Sequence, residues 1–171
     1  FHMFGLFKKK EPMSTDYVAN HYSEIISDSI DDFSEMIDKS ESFKSIKKPL
    51  VKKLSKELLS IQTLTIDLIT GSKTSPEIGQ QIAAMLAISL SIEPKEYIAN
   101  SNYYGPVILE SETYASGSFP IKEISQAIIE KLSIEENQSA IFLLLQSFLK
   151  ANYVGMEGVF IDILQKHTII E

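Results

Sequence analysis

His21, Glu24 and Asp28 stand at i, i+3 and i+7, a spacing that puts one imidazole and two carboxylates on one face of a helix. Such a face can offer a metal three ligands, but metal centres in helical bundles take matching ligands from other helices, commonly a second Glu-x-x-His element. No second such element occurs, and beyond His2 and His21 the chain has only His167. A solvated acidic helix accounts for these residues, and the expectation is no metal and no other cofactor. Asp28, Asp31 and Asp32 do not make a calcium loop either, because the required glycine and the twelfth-position glutamate are missing.

Gly71-Ser72-Lys73-Thr74 has some of the residues of a phosphate-binding loop without their order. The motif needs an earlier glycine, a lysine directly after the second glycine, and a preceding strand. A helix ending at Gly71 in the C′ position explains the segment better. Serine is abundant, yet no G-x-S-x-G nucleophile elbow occurs. There is no cysteine and no arginine, so all 16 basic residues are lysine. Thiolate, nucleophilic and phosphoryl-transfer chemistries therefore lack their usual parts. The catalytic arrangement left open is a pair of carboxylates brought together from distant segments. With a net charge of −7 and no guanidinium fork, nucleic-acid binding is not expected.

Charge is the most patterned feature. Asp16 to Asp38 holds seven acids and no lysine, whereas Lys39 to Lys56 holds seven lysines and one acid, Glu41. If the two segments form an antiparallel pair of helices, these charges can balance each other across the seam, each exposed pair contributing about 0–1 kcal/mol. The alternative is that the acids Glu24, Asp28, Asp31, Glu35 and Asp38 face outward and receive a basic partner. A second candidate surface is the segment 100–119, where Tyr103, Tyr104 and Tyr114 occur among polar and turn residues. Tyrosines on exposed loops bring large contact area at small entropic cost; tyrosines folded back onto the bundle would cap its core instead.

These residues must be positioned by helices. Val18, Tyr22, Ile25, Ile26, Ile30, Phe33, Met36 and Ile37 predict an amphipathic helix over about 16–38. Pro49 opens a second helix carrying Leu50, Leu54, Leu58, Ile61, Leu64 and Leu68. Ser75-Pro76-Glu77 starts a third, rich in small residues, and Lys95–Asn100 adds a turn after Glu93-Pro94. Helicity resumes at Pro120, and Ser133 with Glu136 has capping-box spacing for a following helix that is apolar all round between Ile141 and Leu149. A last helix follows Val154-Gly155. The expectation is an all-α, single-domain bundle of six or seven helices around one buried helix, with room for one short β-hairpin in the 100–119 connection.

Residues 1–14 read as a flexible N-terminus in which Phe1-His2 is a tag scar, and 15–171 as the helical domain. Met3–Phe7 ahead of Lys8–Lys10 has the order of a secretory signal reversed. The apolar runs Ile82–Ile92 and Ala140–Leu145 are far shorter than the roughly 20 residues of a membrane span. The lysine-rich, arginine-free, cysteine-free composition suggests a bacterial, cytoplasmic protein. The resulting expectation is a non-catalytic protein-binding module, of the small acidic immunity or antitoxin-like kind, that neutralises a basic, toxin-like partner. The alternatives are an enzyme or small-ligand binder with a carboxylate-lined pocket between helices, and an adaptor or secretion chaperone. Nothing in the sequence fixes an oligomeric state.

Overall fold

The helix Thr15–Lys39 (α1) begins where the Ser14 hydroxyl accepts a hydrogen bond from the Tyr17 amide at 3.2 Å, in this computed structural model describing residues 9–171. Asp16 in its first turn and Lys39 in its last oppose the helix dipole favourably. Val18, Tyr22, Ile26, Ile30, Phe33 and Ile37 turn into the core, as their period requires. A short 3-10 turn at Glu41–Phe43 reverses the chain into Lys48–Lys73 (α2), with Pro49 in its first turn. Pro76–Ser89 (α3) starts at Ser75, whose hydroxyl accepts from the Ile78 amide. Pro94–Leu109 (α4), the single turn Glu112–Ala115 (α5), Ile121–Lys131 (α6) and Gln138–Lys166 (α7) complete an all-α bundle. No helix of the described residues is long and apolar enough to cross a membrane.

The helix at the centre is α2, not the expected 141–149 segment. From Ser60 to Thr70 it is buried on nearly every side, at Ser60, Ile61, Gln62, Thr63, Thr65, Ile66, Ile69 and Thr70, and it packs on α1, α3, α4 and α7. Its polar composition hides this. The hydroxyls of Thr63, Thr65 and Thr70 each donate to the carbonyl four residues earlier, at 2.9, 2.7 and 2.7 Å, so they enter the core already satisfied. By contrast α7 keeps one side in water, with Leu143 63% and Val154 61% exposed.

Several boundaries also differ from expectation. α7 runs unbroken through Val154-Gly155, so the two C-terminal helices are one. Its N-cap is Asn137 in the left-handed conformation, and the capping box of Ser133 and Glu136 does not form. Segment 100–119 contains no hairpin; α4 continues through Gly105-Pro106 to Leu109. Pro106 removes only the bond to the carbonyl of Asn102, an exposed residue whose carbonyl is open to solvent. Gly71 lies inside α2 rather than at C′, opposite Gly79 of α3, which is the glycine the close packing requires. A Cβ on Gly79 of α3 would lie 2.7 Å from the Gly71 Cα and from the Asp67 carbonyl oxygen.

Residues 11–14, expected to be flexible, form a strand. Glu11–Ser14 (β1) pairs in parallel with His167–Ile170 (β2), Glu11 opposite His167 and Ser14 opposite Ile170. Buried Ile169 and half-buried Met13 close that end of the core. Four-residue strands carry too few positions for a period-2 pattern to declare itself. The tag-scar reading of Phe1-His2, with the Met3–Phe7 run, lies outside the described residues.

Candidate functional site

Glu24, Asp28, Asp31, Glu35 and Asp38 are all exposed along the outer face of α1. Among the described residues none of them forms an ion pair with a lysine of α2. Glu35 pairs with Lys39 one turn away on α1 itself. Asp38 shares a shallow depression with Lys48 and Lys52 without an ion pair to either. Among the described residues, Lys48, Lys52 and Lys53 of α2 form no ion pair, Lys56 meets Glu96 of α4 at 3.5 Å, and Lys73 at the far end of the helix meets Glu157 of α7 at 3.2 Å. Apart from the Glu35–Lys39 pair within α1, the acid block and the lysine block therefore form no ion pair with each other among the described residues. The result is a polarised surface.

The tyrosines do not form an exposed loop. Tyr103 and Tyr104 sit on α4, and Tyr104 is fully buried. Its hydroxyl donates to Glu57 Oε2 at 2.7 Å, and burial followed by that carboxylate pushes the phenol pKa strongly upward. Lys131 Nζ donates to the same Glu57 oxygen at 2.7 Å and to Asn100 Oδ1, while Asn100 Nδ2 donates to Ser60 Oγ at 2.8 Å. Tyr103, 38% exposed, stacks edge-on against Tyr104 and donates to the Ala127 carbonyl at 3.3 Å. Half-buried Tyr114 packs on the core, beside Phe119 and Tyr153, whose rings stack at 4.6 Å. The aromatic residues cap the bundle, and Tyr104 is out of reach of any partner in the folded chain. The three tyrosines stand on helices α4 and α5 rather than on a loop, Tyr104 buried and Tyr103 and Tyr114 partly exposed.

A different surface lies between α1 and α7, where an open groove of about 550 Å³ runs along the two helices. Phe33, Phe148 and Met156 form its floor; Ile25, Met36 and Val159 form its apolar walls. The floor is fixed: Phe33 meets Phe148 edge-on at 5.0 Å, and the buried Tyr22 hydroxyl donates to the Met156 carbonyl at 2.7 Å. Burial also raises the Tyr22 pKa, which keeps that donor protonated. Asp32 is the one charged side chain in the lining, and Glu24, Asp28 and Glu35 continue outward from it on α1. Ser29 lines the same wall and accepts from Gln62 Nε2 at 3.2 Å; the other amide atom, Gln62 Oε1, is buried and has no hydrogen-bond partner among the described residues.

On the α7 side the rim is low, built from Ala151 and Gly155, and Gly158 lies exposed one turn on. A Cβ at Gly155 or Gly158 would meet nothing within 4 Å, so neither glycine is required by the packing. Each replacement by alanine is expected to stabilise the fold by about 0.5–1 kcal/mol through the backbone entropy of the unfolded chain. Thermal unfolding followed by circular dichroism should rise by about 1–4 °C per substitution. A fall in melting temperature would mean that these positions are tighter than the backbone geometry indicates.

The histidines come near each other at the β end, where Tyr17, His21, Asp162, Lys166 and His167 line a cleft of about 290 Å³. Among the described residues no three His, Asp or Glu side chains converge as a metal ion would need. The clefts also keep carboxylates apart: Asp32, Asp38 and Asp162 each stand alone in theirs, and Glu135 and Glu136 are chain neighbours. The better buried carboxylates are bound internally. Glu57 serves Tyr104 and Lys131, and Glu123 accepts from Thr113 at 2.7 Å and Ser111 at 3.1 Å, the Thr113 bond first among the causes lowering its pKa. Asp67 is partly buried with its pKa raised by that burial, and it lines none of these clefts.

Fold and surface define an all-α bundle with an open, apolar groove bordered on one side by acids. No family model, curated protein or solved structure matches the chain. The groove was not anticipated, although its signal is in the sequence. Ile25 and Met36 lie to one side of the α1 core stripe, so the apolar arc is wider than the core needs, and two glycines interrupt a long helix.

Proposed function

We propose that this chain is a non-catalytic protein-binding module that docks a basic partner on the outer face of α1. The finer form of the reading is a small acidic immunity or antitoxin-like protein that neutralises its partner by covering a site. The observation that carries it is the acid row itself: Glu24, Asp28 and Asp31 are exposed and, among the described residues, form no ion pair although a lysine-rich helix lies beside them. Exposed acids in a row cost self-repulsion, and a complementary surface relieves it while steering encounter. The net charge of −7 adds to the same field, and the absence of cysteine supports a cytoplasmic setting.

The test uses a photocrosslinking residue at Asp31, with a control at Lys122 on α6, to recover the partner from cells. Association and dissociation are then measured at two ionic strengths. Reversing Glu24, Asp28, Asp31 and Glu35 to lysine is expected to slow association about tenfold or more at low salt and to flatten its salt dependence. Dissociation should change far less. Unaltered association by folded variants would sink the reading.

A further inference from the structure

We infer that the α1–α7 groove receives a single amphipathic helix of the partner, with bulky apolar side chains on one face and lysine or arginine along the flank that meets α1. The inference rests on the protein-binding reading and specifies what part of the partner is bound.

The dimensions suit a helix. The α1 wall from Ile25 to Met36 is roughly 16 Å long and the α7 wall from Ser147 to Val159 roughly 18 Å, about three helical turns. The volume of about 550 Å³ holds several large side chains, and the exposed Met36, Ser147, Ala151 and Gly155 leave it open along its length. That shape fits a ridge of anchors at i, i+4 and i+7 better than an enclosed small molecule. The low rim of Ala151 and Gly155 lets another backbone come close without a clash. Methionines at Met36 and Met156 adapt to different apolar anchors.

Charge decides the orientation and the chemistry. Asp32 stands inside the groove, while Glu24, Asp28 and Glu35 follow on the same helix, and no lysine lines either wall. A helix seated there meets acids along one flank and uncharged residues along the other. Only a one-sided basic flank satisfies that field. An acidic flank meets like charge at close range, which is a strong penalty in a partly dehydrated groove. The floor needs no rearrangement to receive it, because the Phe33–Phe148 contact and the Tyr22 bond to Met156 already hold the two helices together.

The probe is a synthetic amphipathic peptide of about 18 residues, long enough for the groove. It carries leucine and phenylalanine anchors and a lysine flank, and its twin has glutamate on that flank. Binding is read by fluorescence anisotropy against the full chain. The lysine peptide is expected to bind at least about tenfold more tightly than the glutamate peptide. Ala151→Trp, which fills the open groove from an exposed position, should weaken it by about tenfold or more with the melting temperature unchanged. Ala151→Lys is the second variant, acting by charge as well as bulk. Gly155→Ala should raise the melting temperature yet weaken the peptide, two opposite signs that a purely structural glycine would not give.

Equal binding of the two peptides, or binding indifferent to both Ala151 variants, overturns the inference. So does a micromolar dimer that Ala151→Trp converts to monomer, since the occupant is then a second copy of this chain. A natural partner steered by the α1 acids but released no faster by Ala151→Trp overturns this inference alone. A partner indifferent to both sets overturns the binding reading with it.

Discussion

Replacing Lys131 with alanine is expected to lower stability by about 2–3 kcal/mol, an effect centred on one carboxylate. Glu57 is 12% exposed at its side chain and Lys131 24%, so the pair is mostly out of water. Glu57 Oε2 takes one bond from Tyr104 and one from Lys131, each at 2.7 Å. Lys131 also bonds Asn100 and lies over the Tyr103 and Tyr104 rings at 5.4 and 5.0 Å. Truncation removes all of these contacts and leaves Glu57 charged with a single donor. A fully buried pair broken this way loses about 3–5 kcal/mol, and residual water access reduces that here. For a chain of this size the melting temperature should fall by about 4–12 °C. Glu57→Gln combined with Lys131→Met should restore part of the loss, because no unpaired charge remains and the amide oxygen at position 57 still accepts from the buried Tyr104 hydroxyl. A single-variant loss within about 0.5 kcal/mol would show that the network contributes no more than an exposed pair. The same variant should leave peptide binding in the groove intact, since the network joins α2, α4 and α6 on other elements.

The network also shows what the sequence could reveal and what it could not. Helix existence was legible wherever apolar residues kept a 3.6-residue period: α1, α2, α3 and α6 fall within a few residues of the expected bounds. Failures came where tertiary context overrode a local signal. Gly105-Pro106 and Val154-Gly155 look like breaks, yet α4 and α7 pass through them. An exposed carbonyl at Asn102 can turn to water, and a helix glycine costs only about 1 kcal/mol. The central helix was misassigned for the opposite reason. Three threonines and a glutamine make the second half of α2 look half-polar, while Leu143, Leu144 and Leu145 make α7 look fully buried. Side-chain bonds to the preceding turn let threonines into the core, and nothing forbids an exposed leucine.

At the candidate site the split is similar. The acid row on α1 was legible because it needs only local periodicity, and Glu24, Asp28, Asp31, Glu35 and Asp38 do face outward. The tyrosine surface was not, because aromatic-rich segments read alike whether they dock a partner or seal a core. Only the partner of the hydroxyl separates the two cases, and for Tyr104 that partner is Glu57, 47 residues away. The groove needs two helices more than 100 residues apart in sequence, α1 and α7, and no one-dimensional pattern places them side by side. What the sequence did hold was their unexplained surplus: Met36 beside the core stripe, and glycines within a long helix.

Glycine supplies the sharpest remaining contrast, since the same Gly→Ala change should have opposite signs at different positions. At Gly79 an added Cβ would stand 2.7 Å from the Asp67 carbonyl oxygen, the Gly71 Cα and the Gly71 amide nitrogen. All three are backbone atoms of α2, so no side chain can swing aside. The helices must separate, and α3 then withdraws Ile82 and Leu86, both fully buried, from the core. Overpacking of this kind costs about 1–3 kcal/mol, and a rigid backbone neighbour puts Gly79→Ala at about 3 kcal/mol despite the helix propensity of alanine. Gly71 faces the same seam but looser surroundings, its nearest foreign atoms at 3.6 and 3.7 Å. Gly71→Ala is therefore expected to fall within about 1 kcal/mol of the parent, because ordinary contact replaces ordinary space. Urea unfolding of the two variants separates the explanations. A large loss at Gly79 beside a small change at Gly71 locates the constraint in the backbone approach of α3. Equal losses would assign it to the general aversion of this seam to added volume, and equal gains would mean that α2 and α3 do not approach as closely as their glycines allow.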